Sequence, residues 1–452
     1  MEPLDSLSEQ IPPAIRPIYL TEEPNQPIQL YQGSLEITQG ETVVTGTGSI
    51  LFEWFPSLDV KFELSNPNHF FFIFNLDKAS LKLLDLTTPV STGAFIYKKS
   101  DSFISGTLDN PFILDSKERL SSLLFHLTNF RDFQGNGVST ALSNKRHFWH
   151  GRVVLEAESW SVTIDTLESF RDIKESLKSQ GGYAVTHVGK LEGSTQGTFT
   201  AEEADDFLTA LYFFFSFSRG LRTPPILPIG YNISEEKVWE KWTCNYITSS
   251  WIHVESWFPD LQAQSLNKAF SGFLHRWKNP TWQEPIKLGI HWYLESNSQA
   301  GGIQGSIVLE QIAFELLSWV LVVEEKHLLS PGGFGKLPAA DQLRLLLSQS
   351  GVPLELPTSL INLIQASKEL NWVDGPEAFT GIRNAITHSG DQKKRQKILH
   401  PSFFSAIVEA YELGLWYLEL VFLHLFEYRG DYFNRVAKKQ RYQDNIEAVP
   451  WS

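Results

Sequence analysis

A single cysteine, Cys244, stands in a chain of 452 residues. A disulfide framework is therefore excluded, and so is any zinc site built on several thiolates. One cysteine suits a reducing cytoplasm, and a cytoplasmic location is the expectation. The opening residues Met1-Glu2-Pro3-Leu4-Asp5 lack a basic stretch and an apolar stretch, so no secretory leader is expected. Long uncharged apolar runs are missing as well. Phe207–Phe217 is too short to span a bilayer, and Ala406–Phe426 carries Glu409, Glu412 and Glu419, each costly in lipid. No membrane partner is expected.

Positive charge is also scarce, with 38 Lys and Arg against 52 Asp and Glu and a formal net charge of −14. That argues against a protein that coats nucleic acid nonspecifically. The balance is uneven, however. Between Gly381 and Arg441 ten Lys/Arg face six Asp/Glu, so this stretch alone is net basic. It fits a small RNA-contacting site as well as an ordinary solvated surface.

Familiar catalytic motifs are absent. Gly332-Gly333-Phe334-Gly335-Lys336-Leu337 resembles a phosphate loop, but Ser330 and Leu337 occupy positions that need Gly and Ser/Thr. There is no H-E-x-x-H and no G-x-S-x-G. His147 and His150 lie three apart without a nearby thiol, and read as two histidines on a surface turn. No metal and no cofactor are expected.

What the chain does contain is 42% hydrophobic residues, including 14 Trp and 32 Phe, enough for a large core. Its length implies two or three domains. The predicted class is an α+β multidomain protein, with a β-rich sandwich or barrel-like half followed by an all-α helical bundle. Residues 1–165 form the β-rich part, after an irregular lead-in over 1–30. Short runs such as Lys61-Phe62-Glu63-Leu64 sit between turn residues, and Trp160, Val162 and Ile164 alternate with Ser161, Thr163 and Asp165 as in a half-buried strand. Residues 166–245 are mixed. There Thr200-Ala201-Glu202-Glu203 is a capping box that starts a helix, and its acidic first turn suits the helix dipole. Ser218-Arg219-Gly220 ends that helix, and Pro224, Pro225 and Pro228 force extended chain. Residues 246–452 read as helical, with helices near 340–348 and 359–370 and a last long helix over about 401–428.

The segment Gly381-Ile382-Arg383-Asn384-Ala385-Ile386-Thr387-His388-Ser389-Gly390 carries the chemistry. Ile382, Ala385 and Ile386 suit the buried side of a helix that stops near Gly390. Asn384 and His388 are four apart and share a face, where an amide can fix an imidazole. Arg383 and His388 are five apart, about 140° around the axis, within reach of a long arginine. Arginine binds phosphate through its two-pronged fork, and histidine moves protons near neutral pH. These groups suffice for metal-free RNA cleavage through attack of the 2′-hydroxyl. A surface arginine beside a satisfied helix-end histidine accounts for the same residues.

This R-N-x-x-x-H segment resembles the R-[polar]-x-x-x-H motif of the HEPN superfamily. Trp292-Tyr293-Leu294-Glu295 and the helix with Glu310, Phe314, Glu315 and Leu316 lie upstream as in that superfamily, and the likeness covers about residues 285–430. The resemblance implies an antiparallel bundle, a homodimer, and a composite ribonuclease site in which Arg383 binds the scissile phosphate, His388 is acid or base, and Asn384 orients His388. RNA is the implied substrate. The overall plan is similar to ApeA-like defence proteins, whose "NF" region is echoed by Leu123-Leu124-Phe125-His126-Leu127-Thr128-Asn129-Phe130. The stretches Phe213–Gly220 and Val238-Trp239-Glu240-Lys241-Trp242 resemble the central domain of YopA-like phage-related proteins. An anti-phage abortive-infection effector with a trigger-sensing N-terminal half is the resulting expectation. A non-catalytic HEPN scaffold that binds RNA, nucleotide or protein is the alternative, and a purely structural partner-docking protein the third.

Overall fold

The structure is a computed structural model, and it describes residues 11–65, 77–86, 90–99, 102–109, 111–142, 145–193, 197–243, 248–387 and 392–452. Cys244 and His388 lie outside the described residues.

Six antiparallel strands close into a barrel in the order β1-β2-β3-β6-β5-β4. They are β1 (Ile28–Gln39), β2 (Thr42–Glu53), β3 (Asp59–Ser65), β4 (Lys78–Leu83), β5 (Val90–Lys99) and β6 (Phe103–Leu108). Alternation explains the closure. Leu35, Ile37, Ile50, Phe52, Phe62, Leu64, Leu81, Leu83, Ala94, Ile96 and Ile104 point inward and are buried, with polar neighbours outward. Gly106 is required where β6 meets β5, because a Cβ there would lie 2.1 Å from the Phe95 carbonyl oxygen. The early β-rich region is thus a closed barrel followed by a separate sheet, and not a sandwich.

That second sheet has eight strands in the order β7-β14-β13-β8-β12-β11-β10-β9. It runs from β7 (Phe112–Asp115) through β8 (Ser122–Thr128), β9 (Asn136–Leu142), β10 (Lys145–Ala157), β11 (Trp160–Thr166), β12 (Val185–Gly193) and β13 (Pro225–Tyr231) to β14 (Lys237–Trp242). The expected boundary at residue 165 falls inside it, since β11 pairs with β12 from Trp160↔Gly193 to Thr166↔His187. Val162 and Ile164 are fully buried, as the alternation predicts. Helix α1 (Phe170–Gln180) connects those two strands.

Helix α2 (Ala201–Arg219) begins at the predicted capping box. Thr200 accepts from the Glu203 amide at 3.1 Å, and the Glu203 carboxylate accepts from the Thr200 amide at 2.7 Å. It ends at Gly220, in the left-handed conformation with φ 77°, and the proline-rich segment beyond it enters β13. Phe215 meets Phe125 and Phe130 on the sheet, whereas Phe214 meets Phe270, and Phe217 meets Trp257 and Phe422 on the helical side. One continuous core therefore joins sheet and helices.

The helical half comprises α3 (Gln264–Trp277), α4 (Pro280–Asn297), α5 (Gly302–Trp319) with a π-helical extension Val320–Glu325, α6 (Ala339–Gln349), α7 (Ile361–Leu370), α8 (Gly375–Thr387), α9 (Gln392–Ile398) and α10 (Phe404–Leu425). Helix α10 is buried almost throughout, from Leu413 to Leu425, because its apolar residues occupy every face. The segment Gly302–Glu325 is long and apolar enough to cross a membrane, but 67% of that window is buried inside the fold, as befits a core helix. Helix does not continue to the chain end as expected. Residues beyond Tyr428 form a small hairpin of β15 (Asp431–Phe433) and β16 (Ile446–Ala448), held by tertiary contacts that periodicity does not report. The Arg435 fork grips buried Glu419 at 2.6 and 3.0 Å, and Tyr293 donates to the same carboxylate at 2.7 Å.

Candidate functional site

Helix α8 is fixed by reciprocal capping. Asp374 accepts from the Glu377 amide at 2.9 Å, and Glu377 accepts from the Val373 amide at 3.0 Å. Arg344 on α6 holds Asp374 at 2.7 Å, which ties the helix start to the bundle. Ala378, Phe379, Ile382 and Ala385 are buried, with Phe379 edge-on to Phe314 of α5. Gly381 permits close packing, because a Cβ there would lie 2.4 Å from the Trp372 ring.

This packing turns Arg383 and Asn384 to the outer side of α8. The Arg383 side chain retains 14% of its exposure and donates from Nη2 to Glu315 Oε1 of α5 at 2.6 Å. Its Nη1 donates to the side-chain amide oxygen, Oδ1, of Asn384 at 3.1 Å. Gln311, one turn back on α5, donates to the same Glu315 oxygen at 3.0 Å. Arg383 and Asn384 are thus brought together, and His388 lies outside the described residues. Asn384 directs its oxygen at Arg383, a contact that the sequence reading did not include. Glu315 entered that reading only as part of a helix. No local spacing signals its pairing with Arg383, 68 residues away, because the contact depends on how α5 and α8 cross.

The electrostatics favour exchange. Glu315 keeps 47% of its exposure against 14% for Arg383, so the pair is open to solvent on its carboxylate side and contributes on the order of 1 kcal/mol. A phosphate could replace the carboxylate on the arginine fork at little cost. Helix α9 follows at once with Lys393, Arg395 and Lys397, of which Lys397 pairs with Glu369 at 3.2 Å. Behind the site, Glu310 is fully buried on α5. It accepts from Ser296 at 2.6 Å, and burial raises its pKa well above the ordinary carboxyl range.

Other candidates resolve plainly. Gly332–Gly335 lies in and after a one-turn helix that starts at Pro331, not in a strand–loop–helix cradle. His147 lies on β10 and meets Glu168 at 3.0 Å. Of the acidic residues that open α2, Asp205 pairs with Lys241 at 2.7 Å. Among the described residues, no group of three or more His, Cys, Asp or Glu side chains is placed to hold a metal ion.

Comparison with known proteins places this geometry in a family context. Residues 115–254 match the model of the YopA central domain, and residues 279–447 match that of the YopA C-terminal domain. The SPbeta prophage-derived uncharacterized protein YopA of Bacillus subtilis (strain 168) is 26% identical over 448 residues, covering 97% of this chain and 98% of its own. No solved structure matches. Arg383 and its neighbours fall in the second matched region and strands β8 to β14 of the eight-stranded sheet in the first, and over both regions the chain is accordingly YopA-like.

Proposed function

We propose that the chain is a metal-independent endoribonuclease of the HEPN type, acting as an anti-phage abortive-infection effector. The observation that carries this reading is the setting of Arg383. It is a largely shielded arginine on the last turns of a capped helix, bonded to the neighbouring Asn384 amide, five residues before a histidine, and ion-paired to a carboxylate, Glu315, that itself faces solvent. In this reading Arg383 binds the scissile phosphate bidentately and stabilises charge that builds on its oxygens. His388 takes the proton from the RNA 2′-hydroxyl or gives one to the leaving 5′-oxygen. The new bond joins the 2′-oxygen to phosphorus as the bond to the 5′-oxygen breaks, leaving a 2′,3′-cyclic phosphate. Two copies of the helical domain supply two Arg383–His388 sets to a composite site, and the β-rich half senses a phage-derived trigger.

The test is incubation of total RNA in chelator with the wild type, Arg383→Ala and His388→Ala. Cleavage by the wild type alone supports the reading. Equal cleavage by all three, or unchanged toxicity of both variants in cells, removes it.

The Arg383–Glu315 ion pair favours a second reading, a non-catalytic scaffold. There the arginine links α5 to α8, and the same surface binds RNA, nucleotide or a protein without cutting. Binding of RNA with no cleavage across substrates and protein concentrations would select it.

A further inference from the structure

The central sheet carries a cavity remote in sequence from Arg383. It opens where the end of β8, helix α1 and the segment 251–254 meet, with a volume of about 460 Å³, in the range of small-molecule sites. Its charge is unusual for so acidic a chain. Arg131, Lys174, Lys178 and Arg219 line it, against Asp132 and Asp260.

Arg219 is the decisive residue. It is 4% exposed, and its guanidinium donates to the carbonyl oxygens of Asn129 and Ile252, each at 2.9 Å. Both partners are neutral. The carboxylate on this wall, Asp260, is held instead by Arg131 at 2.6 and 2.7 Å. Burial, and then the nearby Arg131 charge, push the Arg219 pKa down to about 9. A buried cation that makes no direct ion pair among the described residues is costly, and an anion in the cavity would lower that cost.

The rest of the lining is mainly apolar, with Thr186 and His253 as its polar members. Three of its rings are aromatic carbon surfaces, buried Phe130 and Phe170 and half-buried Trp251. Lys174 lies over the Phe170 ring at 5.7 Å and 3.4 Å from Asp132, in a loose, exposed pair that an anion can displace. Cationic and aromatic walls in one cavity of this size match a phosphate joined to a planar ring.

We propose that this cavity binds a mononucleotide, its phosphate held by Arg219, Lys174 and Lys178 and its base against Trp251. The site is independent of the nuclease reading, since it shares no residue with the Arg383 surface.

The experiment is calorimetric titration of the full chain with AMP, GMP, CMP and UMP, and separately with inorganic phosphate, adenosine and a short single-stranded RNA. At least one mononucleotide binds more tightly than phosphate or adenosine. Its affinity falls about tenfold or more in the surface variant Lys174→Glu/Lys178→Glu, from lost charge-assisted contacts, and falls in Trp251→Leu. Arg219→Gln abolishes binding if it folds, and the two surface variants decide the matter if it does not. No binding by any mononucleotide, binding by RNA alone, phosphate binding as tightly as the nucleotides, or affinities unchanged in both surface variants would overturn the assignment.

Discussion

Arg383 and Glu315 join helices α8 and α5 through a 2.6 Å contact, although 68 residues separate them. The pair covers the arginine fork that the proposed reaction needs, so the carboxylate competes with RNA phosphate for the same donors. Glu315→Gln is expected to strengthen RNA binding, and with it cleavage, by up to about fivefold, the worth of one exposed ion pair. Cleavage rates at low RNA concentration check this. A loss of activity in Glu315→Gln would mean that the carboxylate positions Arg383 instead of competing for it.

Buried Glu310 makes the bundle sensitive to alkali. Its raised pKa means that the folded chain holds a proton that the unfolded chain releases above about pH 4.5. Its contribution is therefore most favourable at low pH and is lost as pH rises toward the folded pKa. Glu310→Gln keeps the Ser296 hydrogen bond and removes the titration. The variant is expected to melt at a higher temperature than the wild type at pH 8.5, with the difference shrinking toward pH 5.

The sheet behaves in the opposite sense. Burial lowers the pKa of His126 to about 4 and of His187 to about 3. The Nε2 of His126 accepts the Ile18 and Tyr19 amides, both at 3.2 Å, and His187 lies among Phe130, Phe133 and Phe170. Both must stay neutral in the fold, while the unfolded chain takes up protons below about pH 6.5. Stability is thus lost as pH falls through that value toward 4, by roughly 2 kcal/mol per histidine at pH 5. Glu310 offsets part of this in the wild type. Denaturant melts of Glu310→Gln at pH 7.5 and 5.0 should expose the full loss.

The Arg435–Glu419 pair closes the C-terminal hairpin onto α10. Arg435→Ala leaves the Glu419 carboxylate buried with Tyr293 as its one remaining partner among the described residues, and should cost about 3–5 kcal/mol. Replacing both residues with apolar ones, Arg435→Met with Glu419→Leu, should cost less than the single change. A double-mutant comparison by urea denaturation measures the difference, and equal losses would show that the charge pair itself is not the source.

Phe217→Ala should destabilise the helical half by about 3–5 kcal/mol, because its ring touches Trp257, Tyr293, Phe422 and Phe426, and through the shared core it should loosen the sheet as well. Hydrogen exchange in β8 and in α10 should accelerate in parallel.

Much of the architecture was legible where the signal is local. The Thr200–Glu203 box, the Gly220 stop, the Trp160–Thr166 alternation and the helices near 340 and 360 all follow from spacing within a turn or two. Barrel closure was not legible, since it depends on β3 finding β6 across an intervening hairpin. The hairpin after Tyr428 was missed for the same reason, its stability coming from Arg435 reaching back to α10. At the site, Arg383 and Asn384 were singled out by residue type and spacing, whereas Glu315 and the cationic cavity around Arg219 depend on contacts between distant segments.

Helix α2 fills the sheet with one set of phenylalanines and the helical half with another. Such a helix leaves no slip plane. In a tethered protein an added residue in the linker is slack, and neither partner registers it. Here the strands on one side and α3, α4 and α10 on the other share a single wall, so a displacement at the Arg219 end of α2 tilts both bodies at once. Length changes in the stretch that runs from Gly220 back to the helices would act as dislocations in a solid, not as play in a hinge.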